Sequence, residues 1–433
     1  MSQQLNRRAL FGVGVLAGAA AACSSSTPPS PPQPAPSFDP RDWASVRAQF
    51  ALRRDVAHFA AFTLAPAPAP VRAEIAKHRD GLDADPDYAP VRDQDPDQPV
   101  REAAARFLGG RPEDVALTDS TTMGLGLIYS GLRLRPGQDV LTTEHDFLAT
   151  HEGLRLLAAR TGARVRKVRL YDDPAKATAD RMVSTIKAAL GPRTRVVAIT
   201  WVHSSTGVRL PVRQIAAMLA DVNARRDEHD RVLLCVDGVH GFAAVADKVT
   251  DLGCDFLASG THKWLFGPRG TGVLWGRAWD ALSPVIAGFG QKSFEIWQLG
   301  TPPGPTTAEL ATPGGFKAFE HRWAMPSAFA FQEAIGPDRV QQRVQELAGR
   351  LKAGLAGIKH VTLATPMDPA LSAGLVCCSI TGMEPLQAVD ALRRSKVVAG
   401  TTPYNGTLLR FGTTIVNTPE QVDQAVKAVA MLV

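Results

Sequence analysis

Between Val115 and Leu274 seven short apolar runs alternate with helical patterns. The runs are Val115–Leu117, Asp139–Leu141, Val165–Val168, Val196–Thr200, Val232–Val236, Phe256–Ala258 and Gly272–Leu274. Helical periodicity separates most of them, notably at Thr150–Arg160, Asp180–Leu190 and Pro211–Arg226. Short buried strands joined by helices close into βαβ units. The expected fold class is therefore α/β, with a mostly parallel seven-stranded sheet and helices on both faces. In such a sheet ligands bind beyond the carboxyl ends of the strands, so the residues just past each run are the ones to read for chemistry.

The flanking chain has a different character. Beyond about Pro326 a long helical tract, Pro326 to Leu355, leads to a strand near Leu375–Ile380, a helix Pro385–Arg394, a strand near Leu408–Phe411 and a helix from Pro419. This outlines a smaller C-terminal α+β domain over 326–433, behind a large domain over 81–325. In the N-terminal segment 41–80, Asp42–Arg53 is an amphipathic helix candidate. Thr63–Pro70 is predicted irregular, because prolines lack a donor and restrict the residue before them. Asp83–Pro99, rich in Asp and Pro, reads as a surface loop, and Gln98–Leu108 as a helix stopped by Gly109-Gly110.

The first residues have the layout of an export signal. Arg7-Arg8 precede an apolar stretch, Leu10 to Ala22, too short to span a bilayer as a mature helix. Residues 1–22 are thus expected to be a twin-arginine-type signal. Ala20-Ala-Ala-Cys23 fits either cleavage or a lipoprotein site with Cys23 acylated, and 23–40 is a Ser/Pro-rich, stiff linker. The full 433 residues, leader included, have 45% hydrophobic and 21% charged content, which describes an ordinary globular chain. A net charge of +6 with scattered arginines and no basic block argues against nucleic-acid binding. The five cysteines form no C-x-x-C pair, so neither a zinc site nor a redox motif is indicated. Adjacent Cys377 and Cys378 would face opposite sides of a strand, so at most one of them is expected to be buried.

Chemistry concentrates after the apolar runs. Val232–Val236 ends in Asp237, with His240 three residues on, and Lys263 follows twenty-six positions after Asp237 in a small, polar turn. A lysine amine can hold an aldehyde cofactor as a Schiff base, while a buried carboxylate keeps the cofactor's ring nitrogen protonated. A structural salt bridge is the alternative for Asp237, since a buried carboxylate needs a partner of some kind. Val115–Leu117 runs into Thr118-Asp-Ser120-Thr121-Thr122, where hydroxyls and free N–H groups at a helix start suit an anion, or simply cap the helix. His145 or Phe147, past Asp139–Leu141, could stack on a planar ring. Ser204, past Val196–Thr200, could reach a ring oxygen or belong to an ordinary polar loop.

Together these residues resemble the class V aminotransferase family of pyridoxal-phosphate (PLP) enzymes, the fold type I transferase architecture. Asp255-Phe-Leu-Ala-Ser-Gly-Thr-His262-Lys263 followed by Gly270-Thr-Gly272 carries the likeness, which runs from about Arg41 to the C-terminus. Within the family the chain is most similar to isopenicillin N epimerase-like proteins, through Val236-Asp-Gly-Val-His240 and His262-Lys263-Trp264. The leader adds similarity to exported members such as the periplasmic pyoverdine-tailoring enzyme. The resemblance implies PLP as cofactor, a homodimer, and an amino acid or amino-acid-containing peptide as substrate. It further implies that Lys263 is catalytic and holds the cofactor, Asp237 pairs with the ring nitrogen, and His240, with Ser204, contacts the ring oxygen. By the same likeness His145 stacks on the ring, Thr121, Thr122 and His262 contact the phosphate, and Arg410 grips the substrate carboxylate. Two segments depart from the pattern: Gly300 to Gly315 is longer and richer in proline, and Val416-Asn-Thr stands where the epimerases have Tyr-Asn-Thr. The expected function is transamination or epimerisation at an α-carbon. The alternatives are a C–S lyase or desulfurase, and a surface-tethered binding protein that has lost the chemistry.

Overall fold

The computed structural model describes residues 36–87, 95–300, 302 and 304–433. The large sheet holds seven strands: β1 Val115–Thr118, β2 Asp139–Thr143, β3 Arg164–Val168, β4 Thr194–Thr200, β5 Leu233–Asp237, β6 Phe256–Gly260 and β7 Gly272–Gly276. Their order is β1-β7-β6-β5-β4-β2-β3. Neighbours are parallel except β7, which runs antiparallel to both β1 and β6. Five of the strands are buried along their whole length, which is why they read as unbroken apolar runs rather than alternating ones. The sheet separates two apolar clusters. One face carries Leu117, Leu141, Ile199, Val236 and Leu257, and the other Ala116, Val140, Ala198, Cys235 and Ala258.

The expected helices lie at Leu148–Thr161, Ala179–Ala189 and Val212–Asn223. Gln98–Leu108 is helical and ends on Gly109 in the left-handed region. The C-terminal part forms a four-stranded antiparallel sheet ordered Gly400–Thr401, Leu409–Gly412, Leu375–Ile380, Val361–Leu363. It packs against the helices Pro337–Ala356, Pro385–Arg394 and Pro419–Ala430 through Leu347, Leu351, Leu392 and Val422.

Five local expectations are corrected. Asp42–Arg53 is helical only over Trp43–Ala48, because the Asp42 carboxylate caps Ala44 and Ser45 and Phe50 turns into the core. The Pro/Ala segment is irregular through Pro68, but Ala69 and Pro70 open a helix that runs to Ala84, since a proline is tolerated where the first turn's N–H groups have no partner. That helix, together with Gln98–Leu108, trims the expected loop Asp83–Pro99 from both ends; 88–94 lie outside the described residues. The tract Pro326 to Leu355 is two helices, Met325–Ile335 and Pro337–Ala356. Gly336, at φ 94°, breaks them apart with a backbone only glycine adopts readily.

Cys377 and Cys378 are both fully buried. Their strand is central in its sheet and covered on both sides: Cys378 joins the helix-facing core, while Cys377 lies opposite Arg410 on the side toward the large sheet. The reasoning from strand alternation holds only for a sheet with one face open to water.

The N-terminal segment ties the two sheets together. Ala57–His58 pairs in parallel with Val397–Val398. Gly412 N–H donates to Phe59 O at 2.7 Å, and Ala65 N–H donates to His262 O at 3.0 Å.

Candidate active site

The carboxyl ends of β2, β4, β5 and β6 and of β1 lie at one edge of the large sheet, where Thr200 pairs with Asp237 and Asp237 with Ala258. Asp237 closes β5, His145, Ser204, His240, His262 and Lys263 follow the strand ends in the chain, and Thr121 opens the helix after β1. Arg410 comes from the smaller sheet and reaches them by donating to Ser204 O at 3.2 Å.

Asp237 is 1% exposed. Its Oδ1 accepts from Val239 N–H at 3.0 Å, while its Oδ2 is buried with no partner. Burial pushes its carboxyl up to about 7, against the pull of the Lys263 charge. Lys263 is pushed down to about 8 by burial, with Asp237 raising it and Arg410 lowering it. An unpaired buried acceptor is costly unless a donor arrives. Among the groups that fit, a protonated ring nitrogen would satisfy Oδ2 and return the carboxylate to its charged form.

Gly260, the last residue of β6, leaves room where this edge meets the helix after β1. A Cβ there would stand 2.8 Å from His262 Cε1 and 3.4 Å from Thr121 Oγ1. Gly260 N–H donates to Thr121 Oγ1 at 2.7 Å, and Ser120 Oγ caps the helix through Met123 N–H. His262 Nδ1 is buried without a partner, and Thr122 lies on the exposed side of the first turn. A helix start, hydroxyls and a partnerless imidazole nitrogen make a site suited to a phosphate.

His145 is held rigidly. Leu170 N–H donates to its Nε2 at 3.2 Å, and its ring stacks on Tyr171 with centroids 3.9 Å apart. The Tyr171 hydroxyl bonds His203 Nδ1 at 2.8 Å and Thr206 Oγ1 at 2.9 Å. Burial pushes His203 down to about 3. Behind it Asp146 accepts from Thr142 Oγ1, Thr143 N–H and Thr200 N–H, which locks the ends of β2 and β4 together. Tyr171 was missed by sequence reasoning, although a polar aromatic just past a parallel strand is the same signal that marks His145.

His240 is buried, and Trp264 Nε1–H donates to its Nδ1 at 3.1 Å. Phe62 stacks on Trp264 and meets His240 edge-on, and the Arg410 guanidinium lies 5.0 Å over the Phe62 ring. Arg410 Nε is buried and unpaired. The Ser204 hydroxyl bonds Tyr404 at 2.9 Å, which uses one of the bonds a hydroxyl can make. Phe62 and Tyr404 sit in irregular segments, and no local pattern marks either of them. Asn417 is spent on structure: its side chain accepts from Thr414 and donates to His58 O.

This sheet order, with one reversed strand and a carboxylate and a lysine at its ligand-binding edge, is that of the PLP-dependent fold type I enzymes. Two solved structures share the fold. A C-DES mutant with glycine covalently linked to the PLP cofactor has a TM-score of 0.79, 21% identity and 89% coverage of this chain against 99% of its own. The cystine C-S lyase C-DES in complex with its product cysteine persulfide has a TM-score of 0.76, 21% identity and 87% and 98% coverage. The family model for Aminotransferase class-V matches residues 97–424, and the chain belongs to that family. Its cofactor is pyridoxal phosphate. Isopenicillin N epimerase of Streptomyces clavuligerus is 30% identical over 77% of this chain and 83% of its own length. The isopenicillin N epimerase of Amycolatopsis lactamdurans is 28% identical over 90% and 98%. A probable cysteine desulfurase of Mycobacterium leprae is 28% identical over 70% of this chain and 47% of its own length.

Proposed function

We propose that this chain is an exported PLP enzyme acting at the α-carbon of an amino acid or amino-acid-containing peptide, by transamination or epimerisation. The observation that carries the reading is a buried Asp237 Oδ2 left without a partner at the carboxyl edge of the large sheet, where Lys263 follows the adjacent strand β6. When bound, the cofactor withdraws electrons from the substrate α-carbon. In this reading Asp237 faces the ring nitrogen and keeps it protonated. Lys263 anchors the cofactor and then takes and returns the α-proton, a task suited to an amine titrating near neutrality. His145, backed by Tyr171, covers a ring face, and His240, assisted by Ser204, donates to the ring oxygen. Thr121, Thr122 and His262 hold the phosphate. Arg410 holds the substrate carboxylate through its free guanidinium edge, a bidentate task for which arginine is built.

The epimerase relatives, aligned over most of both chains, favour this reading over sulfur chemistry. The four described cysteines are all buried, with Cys377 and Cys378 in a strand interior, so none offers a mobile thiol nucleophile. The test mixes the purified protein with a panel of amino acids in heavy water. Exchange of the α-proton without keto acid marks an epimerase, and exchange with keto acid a transaminase. A protein lacking any absorbance near ~420 nm, the region of a protein-bound PLP imine, or a Lys263→Ala variant with full turnover, would sink the reading.

Export through the leader at Arg7-Arg8, with Cys23 as a lipid anchor, belongs to the same proposal; both lie outside the described residues. Homodimerisation belongs to the proposal as well. The helix Gln291–Leu299 buries none of its residues, and Phe289, Phe294, Trp297 and Leu299 are left exposed. An apolar face of this kind marks an interface, and a second copy is its proposed occupant.

A further inference from the structure

Resting on the reading that His240 faces the cofactor's ring oxygen, we propose that Trp264 is a positioning residue that locks His240 as an Nε2–H donor. An indole nitrogen has one hydrogen and no lone pair to offer, so whatever it bonds must accept. Trp264 Nε1 stands 3.1 Å from His240 Nδ1, with Trp264 2% exposed and His240 3% exposed. Nδ1 must therefore present its lone pair, and the proton of the neutral ring is confined to Nε2. The charged groups facing His240 are Lys263, in the loop after β6, and Arg410, from the smaller sheet. Burial, the Arg410 charge and, until its amine is joined to the cofactor, the Lys263 charge keep the imidazole neutral. Phe62 also faces His240: its ring stacks on Trp264 at 5.8 Å and meets His240 at 5.7 Å, fixing the indole plane without adding charge. His240 thus has one protonation state and one tautomer, and its single free donor is Nε2–H.

The consequence is measurable apart from turnover. The visible band of the bound cofactor titrates as the nitrogen joining it to Lys263 loses its proton. Once that proton has left, the ring oxygen's negative charge depends most on a nearby donor, so weakening the donor raises the titration midpoint. His240→Ala should raise it by about one to two units, and Trp264→Phe by about half a unit or more. In the His240→Ala background, Trp264→Phe should add nothing.

Nitrogen NMR of the histidine-labelled holoenzyme gives a second reading that needs no variant. His240 Nδ1 should show the unprotonated shift and Nε2 the protonated one, unchanged from about pH 6 to 9, the range bracketing an ordinary histidine. A midpoint unmoved by Trp264→Phe, a Trp264→Phe shift that is as large in the His240→Ala background as in the wild type, or the opposite tautomer overturns the proposal. A wild-type protein that binds PLP with no visible band instead removes the reading on which it rests.

Discussion

Burying the Asp237 carboxylate without a cofactor makes stability depend on pH. The carboxyl titrates near 3.8 when unfolded and at about 7 in the folded chain. Between those values the folded state keeps a proton that the unfolded state has released, so stability falls as pH rises through that window. The accumulated loss is on the order of a few kcal/mol, at ~1.4 kcal/mol per unit. Cofactor-free Asp237→Asn should therefore melt above the cofactor-free wild type at pH 8, with the gap closing toward pH 4. Calorimetry of the two proteins across that range checks it, and a constant gap would refute the burial argument. Adding PLP should reverse the order, because only the carboxylate can pair with a protonated ring nitrogen. Arg410→Lys probes the other side of the pocket. Loss of the guanidinium fork should raise KM for α-carboxylate substrates roughly 10-fold or more while leaving PLP affinity nearly unchanged. An unaltered KM would remove the assigned contact.

At the scale of elements, what was legible followed burial. Strands covered on both faces read as apolar runs, and the structure extends most of them by only a residue or two at a polar end, as at Thr118, Thr143 and Asp237. The carboxylate and the lysine were visible because each closes such a run or follows it in a tight turn. Phe62 and Tyr404 were not, since their roles come from contacts with distant chain, whereas Tyr171 carried a local signal that went unread. Tyr404 meets Ser204 across 200 positions of sequence. The helix break at Gly336 was hidden for a different reason: the periodicity of Met325–Ile335 resumes in Pro337–Ala356, and one glycine's φ decides that they are separate helices. Gly336→Ala should cost about 1 kcal/mol or more, the strain of a side chain at positive φ. Urea denaturation should show an earlier midpoint at unchanged slope, and an unshifted midpoint would mean the turn can relax into one helix.

For the molecule as a whole, the exposed face around Trp297 is the feature that size and composition do not explain. Trp297 is 77% exposed, and Phe289, Phe294 and Leu299 are exposed around it. If a second copy covers them, Trp297→Asp should turn a dimer into a monomer in sedimentation velocity, because burying an unpaired carboxylate in an apolar contact costs several kcal/mol. A variant that still sediments as a dimer would place the interface elsewhere.

The pairing of Ala57–His58 with Val397–Val398 has a consequence for the order of events. The segment that carries Phe62 to the pocket finds its strand partner far along the chain, Ala57 at Val397. A contact spanning that much sequence is slow to close, because the intervening chain must be ordered before the pairing rewards it. The wall of the site that holds Trp264 and Arg410 is therefore expected to form late in folding, and a cofactor meets the finished pocket only once this long-range pairing has closed.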